Sequence, residues 1–406
     1  MPRSAKEPVI PVQSRPLGFF ALALLVSSAM ATASSSSPAS YASIAPRPLH
    51  LSSQTWDETQ FIQADKQGRV FVLRGSPVLE VFALEGGELK SKGRLEGPTV
   101  GRDDGGAVSL ASLSAAGDVW VLFTGPTTLE TFEGVKRAQT IESTWKISDL
   151  AAGSGEPIAS VIPVELNTPS PESPTLLRPP QIRRWDGKRW ETTIEGDYSD
   201  EEAPGAVSWN LRFSAVYSSL LALTPERHLW VANQYAARLR HYSPSGVLKG
   251  ELVLGSGKVA WSESKPADRE ALQLRLDAAL KKSGFSATMS APGTVPRATY
   301  RAITVGLDGY VYLVAETENG LALDRFQPNL PSYERLLLSD CEIGPGRPSL
   351  AAGRHELVLG ARQGKGGSWE IPYEMLDGAK WKPVPGAVLD GAVIERAEDP
   401  LPVGTP

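Results

Sequence analysis

One cysteine and four histidines in 406 residues leave little room for thiol or imidazole chemistry. Cys341 has no partner for an internal disulfide, so packing must hold the fold, and the residue reads as a small buried hydrophobe. His50, His228, His241 and His355 form no His-Glu-x-x-His pair. The chain also lacks a Gly-x-Ser-x-Gly elbow, a phosphate-cradling glycine loop and cysteines paired at metal spacing, which disfavours hydrolases of those types. Positive charge is not in excess: 41 Lys and Arg face 46 Asp and Glu, a net of −5. An acidic surface repels phosphate backbones, so no nucleic-acid partner is expected. Nor is a membrane span expected in the mature chain. The N-terminal apolar run from Leu17 to Val26 is well short of the about 20 residues a spanning helix needs.

What that run does fit is a cleaved export signal over residues 1–33. Arg3, Lys6 and Arg15 precede it and the small residues Ala29, Ala31 and Ala33 follow it. Its removal makes the mature chain more acidic, at about −7. The expected location is therefore periplasmic or extracellular. Residues 34–42, rich in Ser, have linker composition, 43–398 form the folded unit, and 399–406 are a Pro-rich tail.

Within the folded unit one pattern recurs five times: an apolar strand, a tight turn, a second strand with a central aromatic, then an outer hairpin. The clearest copies of the first half are Phe61 to Val72, ending Gln67-Gly68-Arg69-Val70-Phe71-Val72, and Ser109 to Val121, ending Gly117-Asp118-Val119-Trp120-Val121. Others are Pro225-Glu226-Arg227-His228-Leu229-Trp230-Val231 and Asp308-Gly309-Tyr310-Val311-Tyr312-Leu313, with a degenerate copy from Ser349 to Leu359. Phe82, Trp185, Tyr242, Phe326 and Tyr373 mark the outer hairpins, at the place where radially packed sheets widen and need large rings. The fold class is all-β: a β-propeller with five blades visible in the sequence and six possible, plus one inserted helix.

Two insertions interrupt the pattern. The one at about 125–180 is expected between the inner and outer strands of blade two, and a sixth blade has room to begin in it near Trp145-Lys146-Ile147. The one at about 256–296 predicts a helix. Pro266 suits its first turn, Leu272, Leu276, Ala279 and Leu280 form a stripe, and Gly284 suits its end. A ring must close, and 45–53 or 387–396 is expected to complete the terminal sheet.

Units 61–97 and 221–255 resemble NHL-type repeats. Leu229-Trp230-Val231-Ala232-Asn233-Gln234-Tyr235 matches the middle of that pattern, with Asn233 where the family usually carries Asp. The resemblance implies a ring of blades that binds proteins, sugars or RNA, and some relatives in the broader superfamily are metal-dependent lactonases or lyases. Arg227 departs from it by replacing the turn glycine.

Three sets of candidate site residues follow. Trp185, Arg189 and Trp190 frame an Asp-Gly turn and read either as a sugar or peptide platform or as a hairpin with packing aromatics. Asn233 and Tyr235 lie in a loop expected at the channel mouth. Asp103, Asp104, Asp197, Asp200, Glu316 and Glu318 recur in such loops and suit a hard cation such as Ca²⁺, although acidic loops are commonly just solvated. No other cofactor is expected. The sequence reads as a binding or scaffolding module for an extracellular or envelope protein or glycan. The alternative is a metal-dependent, lactonase-like propeller hydrolase, and oligomeric state is left open.

Overall fold

The computed structural model describes residues 41–49, 59–65, 67–75, 78–99, 111–113, 119–125, 128–143, 146–152, 156–162, 181–195, 219–254, 259, 261–263, 266–283, 290–291, 293–327, 333–341, 343, 348–360, 367–384 and 387–389. Two short N-terminal strands, β1 (Ser43–Ile44) and β2 (Arg47–Pro48), precede the repeats. Blade 1 contains β3 (Thr59–Ala64), β4 (Val70–Gly75), β5 (Val78–Glu85) and β6 (Glu88–Thr99). Blade 2 contains β7 (Ala111–Leu113), β8 (Val119–Gly125), β9 (Thr128–Glu133) and β10 (Lys136–Glu142). Blade 3 contains β11 (Lys146–Ala152), β12 (Pro157–Ile162), β13 (Gln181–Trp185) and β14 (Trp190–Glu195). Blade 4 contains β15 (Ser219–Leu223), β16 (Leu229–Asn233), β17 (Arg238–Tyr242) and β18 (Leu248–Leu254). An excursion follows with β19 (Trp261–Glu263), α1 (Pro266–Ser283) and β20 (Thr294–Pro296). Blade 5 contains β21 (Tyr300–Val305), β22 (Val311–Thr317), β23 (Gly320–Phe326) and β24 (Tyr333–Leu338). Blade 6 contains β25 (Ser349–Ala352), β26 (Glu356–Gly360) and β27 (Ser368–Pro372), followed by α2 (Tyr373–Asp377), β28 (Lys382–Pro383) and β29 (Ala387–Leu389).

Each blade is an antiparallel meander whose first strand is innermost. These first strands neighbour one another in turn, β3 to β7, β11, β15, β21, β25 and back to β3, which makes the ring a closed β-propeller of six sheets. Closure uses the chain's N-terminal side. The strand β2 lies antiparallel to β27, with Arg47 opposite Glu370 and Pro48 opposite Trp369, and supplies the fourth strand of blade 6. Across the same seam the Arg354 amide donates to the Gly68 carbonyl at 2.8 Å. Gly68 has φ +71, and a Cβ there would stand 2.7 Å from Leu307 Cδ1 and 2.8 Å from Arg354 N, so both backbone conformation and space demand glycine. Residues 387–389 take another role: β29 extends blade 4 by pairing with β18, while β1 and β28 both pair with β24 of blade 5.

The stretch 125–180 is no insertion within one blade. It holds the outer hairpin of blade 2 and the inner hairpin of blade 3, and Ile158 pairs with Arg184, so the Trp185 hairpin belongs to blade 3. Neither β11 nor β12 carries the aromatic that marks the second strand of four other units, which is why this hairpin escapes a repeat reading. The helix in the second excursion begins at Pro266 as expected. Among the described residues, no helix is long and apolar enough to cross a membrane.

The core lies between blades. Phe326 and Trp230 pack where blades 4 and 5 meet, Tyr242 between blades 3 and 4, Trp185 between 2 and 3, Phe82 between 6 and 1, and Tyr373 between 5 and 6. All five marked aromatics thus serve as inter-blade wedges, although Tyr373 opens α2 rather than an outer hairpin, because β2 takes the outer place in blade 6. Each large side chain fully withdrawn from water contributes on the order of 1.5–3 kcal/mol. One polar network is buried among them. Asp324, fully buried, accepts from Arg335 Nε at 2.6 Å, Arg335 Nη2 at 2.7 Å and the Tyr333 hydroxyl at 2.5 Å.

Candidate functional site

The meander fixes two faces. The loops between second and third strands, and the excursion between blades 4 and 5, open on one face; the turns between first and second and between third and fourth strands open on the other. We call the first the mouth face.

On the mouth face, at the seam of blades 4 and 5, the structure gathers Asn233, Tyr235, Glu316 and Glu318 with two arginines not singled out in the sequence. Arg301 stands on the innermost strand at a bulge: Tyr300 is opposite Ala315 and Ala302 is opposite Val314, which leaves Arg301 as the extra residue. A bulge re-aims its side chain, here toward Glu316, with Nη1 to Oε2 at 3.7 Å and the two side chains 12% and 23% exposed. Arg297 and Glu318 make a second pair at 3.7 Å. Burial pushes the Glu316 carboxyl up, against the opposing charges of Arg301 and Arg297, and pulls the Arg301 guanidinium down, against Glu316. The seam therefore holds opposite charges partly withdrawn from water.

Asn233 and Tyr235 build this seam. Asn233 Oδ1 accepts from the amides of Tyr235 and Ala236, both at 2.8 Å, and so shapes the loop after β16. Tyr235 is buried, packing with Ala236, Val259, Ala298 and Trp261, so it ties the excursion to the propeller rather than offering an exposed ring. The Gln234 carbonyl accepts from the amides of Thr299 and Tyr300, joining blade 4 to blade 5. The excursion is thus anchored on the mouth face.

Trp185, Arg189 and Trp190 lie on the opposite face, in the turn between β13 and β14. Asp186 Oδ1 accepts from the amides of Lys188 and Arg189 at 2.8 and 2.7 Å, bonds that hold its carboxyl below the usual range. Gly187 supplies φ +94. The two indoles meet edge to face at 5.6 Å between centroids and pack against the core of blades 2 and 3, and Trp190 Nε1 donates to the Glu142 carbonyl at 3.1 Å. Arg189 reaches Glu191 at 2.8 Å. The contacts of the two indoles are those of a packing hairpin, while Arg189 stands largely exposed at the turn.

Asp103, Asp104, Asp197 and Asp200 lie outside the described residues. Glu316 and Glu318 each face a guanidinium, and among the described residues no group of three or more His, Cys, Asp or Glu is placed to hold a metal ion. Cys341 packs beside the core of blades 5 and 6, and burial pushes its thiol up to about 12. His228 and His241 are 13 positions apart in the sequence. The structure brings them together, with Nδ1 to Nε2 at 3.0 Å and His241 stacked on Trp230 at 4.3 Å.

No family profile and no curated protein sequence matches the chain. Solved structures similar to it include a catalytically inactive virginiamycin B lyase from Staphylococcus aureus with quinupristin, at 11% identity and TM-score 0.41, covering 80% of this chain and 88% of that one. A luciferin-regenerating enzyme is similar at 10% identity and TM-score 0.44, covering 82% and 96%. U3-55K is similar at 12% identity and TM-score 0.43, covering 82% and 99%. Likeness at this level assigns no activity.

Proposed function

We propose that the protein is an exported binding module that meets an extracellular or envelope protein or glycan on its mouth face, at the seam of blades 4 and 5. The observation that supports the reading is the bulge-borne Arg301 with Glu316, beside Arg297 with Glu318. Oppositely charged groups partly withdrawn from water, with Arg301 and Glu316 carried on β21 and β22, are pre-organised to exchange an internal partner for an external one, and such charges contribute more to specificity than to bulk affinity. The excursion anchored through Tyr235 adds a wall that a bare ring lacks.

The test uses the immobilised mature chain against envelope extract and a glycan array. The variant carries Arg297→Glu with Glu318→Lys, which reverses both charges while keeping a pair. Arg189→Glu on the opposite face is the control. A ligand retained by the wild type and the control, and held at least about tenfold more weakly by the reversed pair, supports the mouth face. Retention unchanged by the reversal but lost with Arg189→Glu would overturn it.

A further inference from the structure

A concavity lies on the opposite face, between the sheet of blade 1 and the outer turn of blade 2. It encloses about 390 Å³ and is lined by Arg69, Phe71, Leu84, Glu85, Lys92 and Val135, among others. That volume lies at the small end of the range for small-molecule sites. Its shape has a local cause. Gly93 on β6 has φ +126 and lets the strand pass close to the Val135 side chain, since a Cβ there would stand 3.0 Å from Val135 Cγ1. The blade 2 turn therefore stands over β4, β5 and β6 of the blade 1 sheet.

The polar groups are arranged unevenly. Arg69 is anchored by one edge only, with Nε 2.6 Å from Asp65 Oδ2, and Asp65 is itself buried and accepts the Arg69 and Gln67 amides at 2.8 and 3.0 Å. The guanidinium carbon stands 5.6 Å from the centroid of the Phe71 ring, and the Arg69 side chain is 51% exposed. On the far side Glu85 is held by Lys92 at 2.7 Å and Lys90 at 3.1 Å, so its charge is already answered. Counting Asp65, three cations stand against two carboxylates around an apolar floor of Phe71 and Val81.

We propose that this cleft binds a small apolar monocarboxylate, with the carboxylate on the terminal nitrogens of Arg69 and within reach of Lys92, and the hydrocarbon between Phe71, Leu84 and Val135. A guanidinium held by its Nε edge presents the flat terminal pair that matches a carboxylate in bidentate fashion, and the single surplus positive charge suits one anionic group. The apolar side chains of the lining suit a ligand whose remainder is hydrocarbon. The site is separate from the mouth face, and its test stands apart from the reading given there.

The experiment titrates sodium octanoate into the mature chain by calorimetry and by shifts of backbone amide resonances in blades 1 and 2, with 1-octanol and octyl phosphate as parallel ligands. Saturable octanoate binding is expected, at least about tenfold weaker for 1-octanol, which lacks the charge. Arg69→Gln should weaken octanoate by at least about tenfold, while Val135→Trp, placed in the roof away from the Arg69–Asp65 bond, should abolish it by filling the space. Both variants are compared at matched melting temperature, and the Val135 variant keeps the proposal testable if the Arg69 variant folds poorly. Absence of saturable octanoate binding would overturn the proposal, as would equal binding of 1-octanol, tighter binding of octyl phosphate, or binding that survives Val135→Trp.

Discussion

Replacing Asp324 with Asn tests how blade 5 is held together. Asp324 is fully buried and takes both nitrogens of one edge of Arg335 and the hydroxyl of Tyr333. Arg335 is 14% exposed at its side chain. Burial draws its guanidinium down, but hydrogen bonds and charge from Asp324 outweigh that and hold it above its ordinary value. Burial and the charge of Asp324 push the Tyr333 hydroxyl well up. An amide in place of the carboxylate keeps the shape, removes the counter-charge and turns one acceptor into a donor facing donors. Breaking a buried pair by removing one partner costs about 3–5 kcal/mol. With unfolding entropy of roughly 2.1 cal/mol/K per residue over the roughly 240 described residues, that loss lowers the melting temperature by about 6–10 °C. Differential scanning calorimetry of Asp324→Asn measures it. The double substitution Asp324→Leu with Arg335→Met removes both charges and should recover most of the loss, because apolar replacement of a whole buried pair is commonly neutral. A single variant melting within 1 °C of the wild type, or a double variant no better than the single, would refute the reasoning.

Two further predictions concern blade 4. Burial first, then His228 and Lys249, pull His241 down to about 4, whereas the unfolded chain titrates near 6.5. The unfolded state therefore takes up the proton first, so this contribution is complete above about pH 6.5 and is lost as pH falls toward 4. The ring is only partly buried, which limits the loss to on the order of 2 kcal/mol. Urea midpoints of the wild type and His241→Gln between pH 7 and pH 4.5 should diverge, and parallel profiles would exclude the effect. Arg227 occupies a left-handed turn position at φ +70, where blades 1 and 5 place Gly68 and Gly309, and its Nη2 reaches Glu156 of blade 3 at 2.8 Å. Arg227→Gly relieves about 1 kcal/mol of strain and forfeits an ion pair worth about 0.2–1 kcal/mol, so its melting temperature should stay within about 2 °C of wild type, while Arg227→Val should fall by more. Equal losses in the two variants would mean that the ion pair, not the backbone, makes the larger contribution.

The repeat was legible in the sequence wherever strand alternation, a turn residue and an aromatic coincided, as at Phe71, Trp230 and Tyr312. It failed at Lys146 to Ile162, where the wedge is small and aliphatic, and there the unit boundary slipped by one hairpin. Arg227 shows why turn chemistry alone misleads: its amide and carbonyl partners are those of the glycine turns, Arg227 N to the Thr224 carbonyl matching Gly68 N to the Asp65 carbonyl, although the residue is wrong for the angle. The mouth arginines were invisible for a different reason. The bulge that turns Arg301 toward Glu316 is a property of pairing between strands, and Arg297 and Glu318 are 21 positions apart in the chain's numbering. Glu316 and Glu318 were legible as mouth-loop carboxylates, but not the cations that face them. Asn233 was legible as a mouth-loop residue, and its side chain shapes that loop.

Closure of the ring by the N-terminal strand is the claim on which every inter-blade contact depends, and one cross-link tests it directly. Arg47 and Glu370 face each other across β2 and β27. In a Cys341→Ser background, Arg47→Cys with Glu370→Cys should oxidise to an intramolecular disulfide in nearly all molecules, detected as joined peptides by mass spectrometry after proteolysis under non-reducing conditions. Free thiols, or cross-links formed only between molecules, would contradict a propeller closed by residues 47–48.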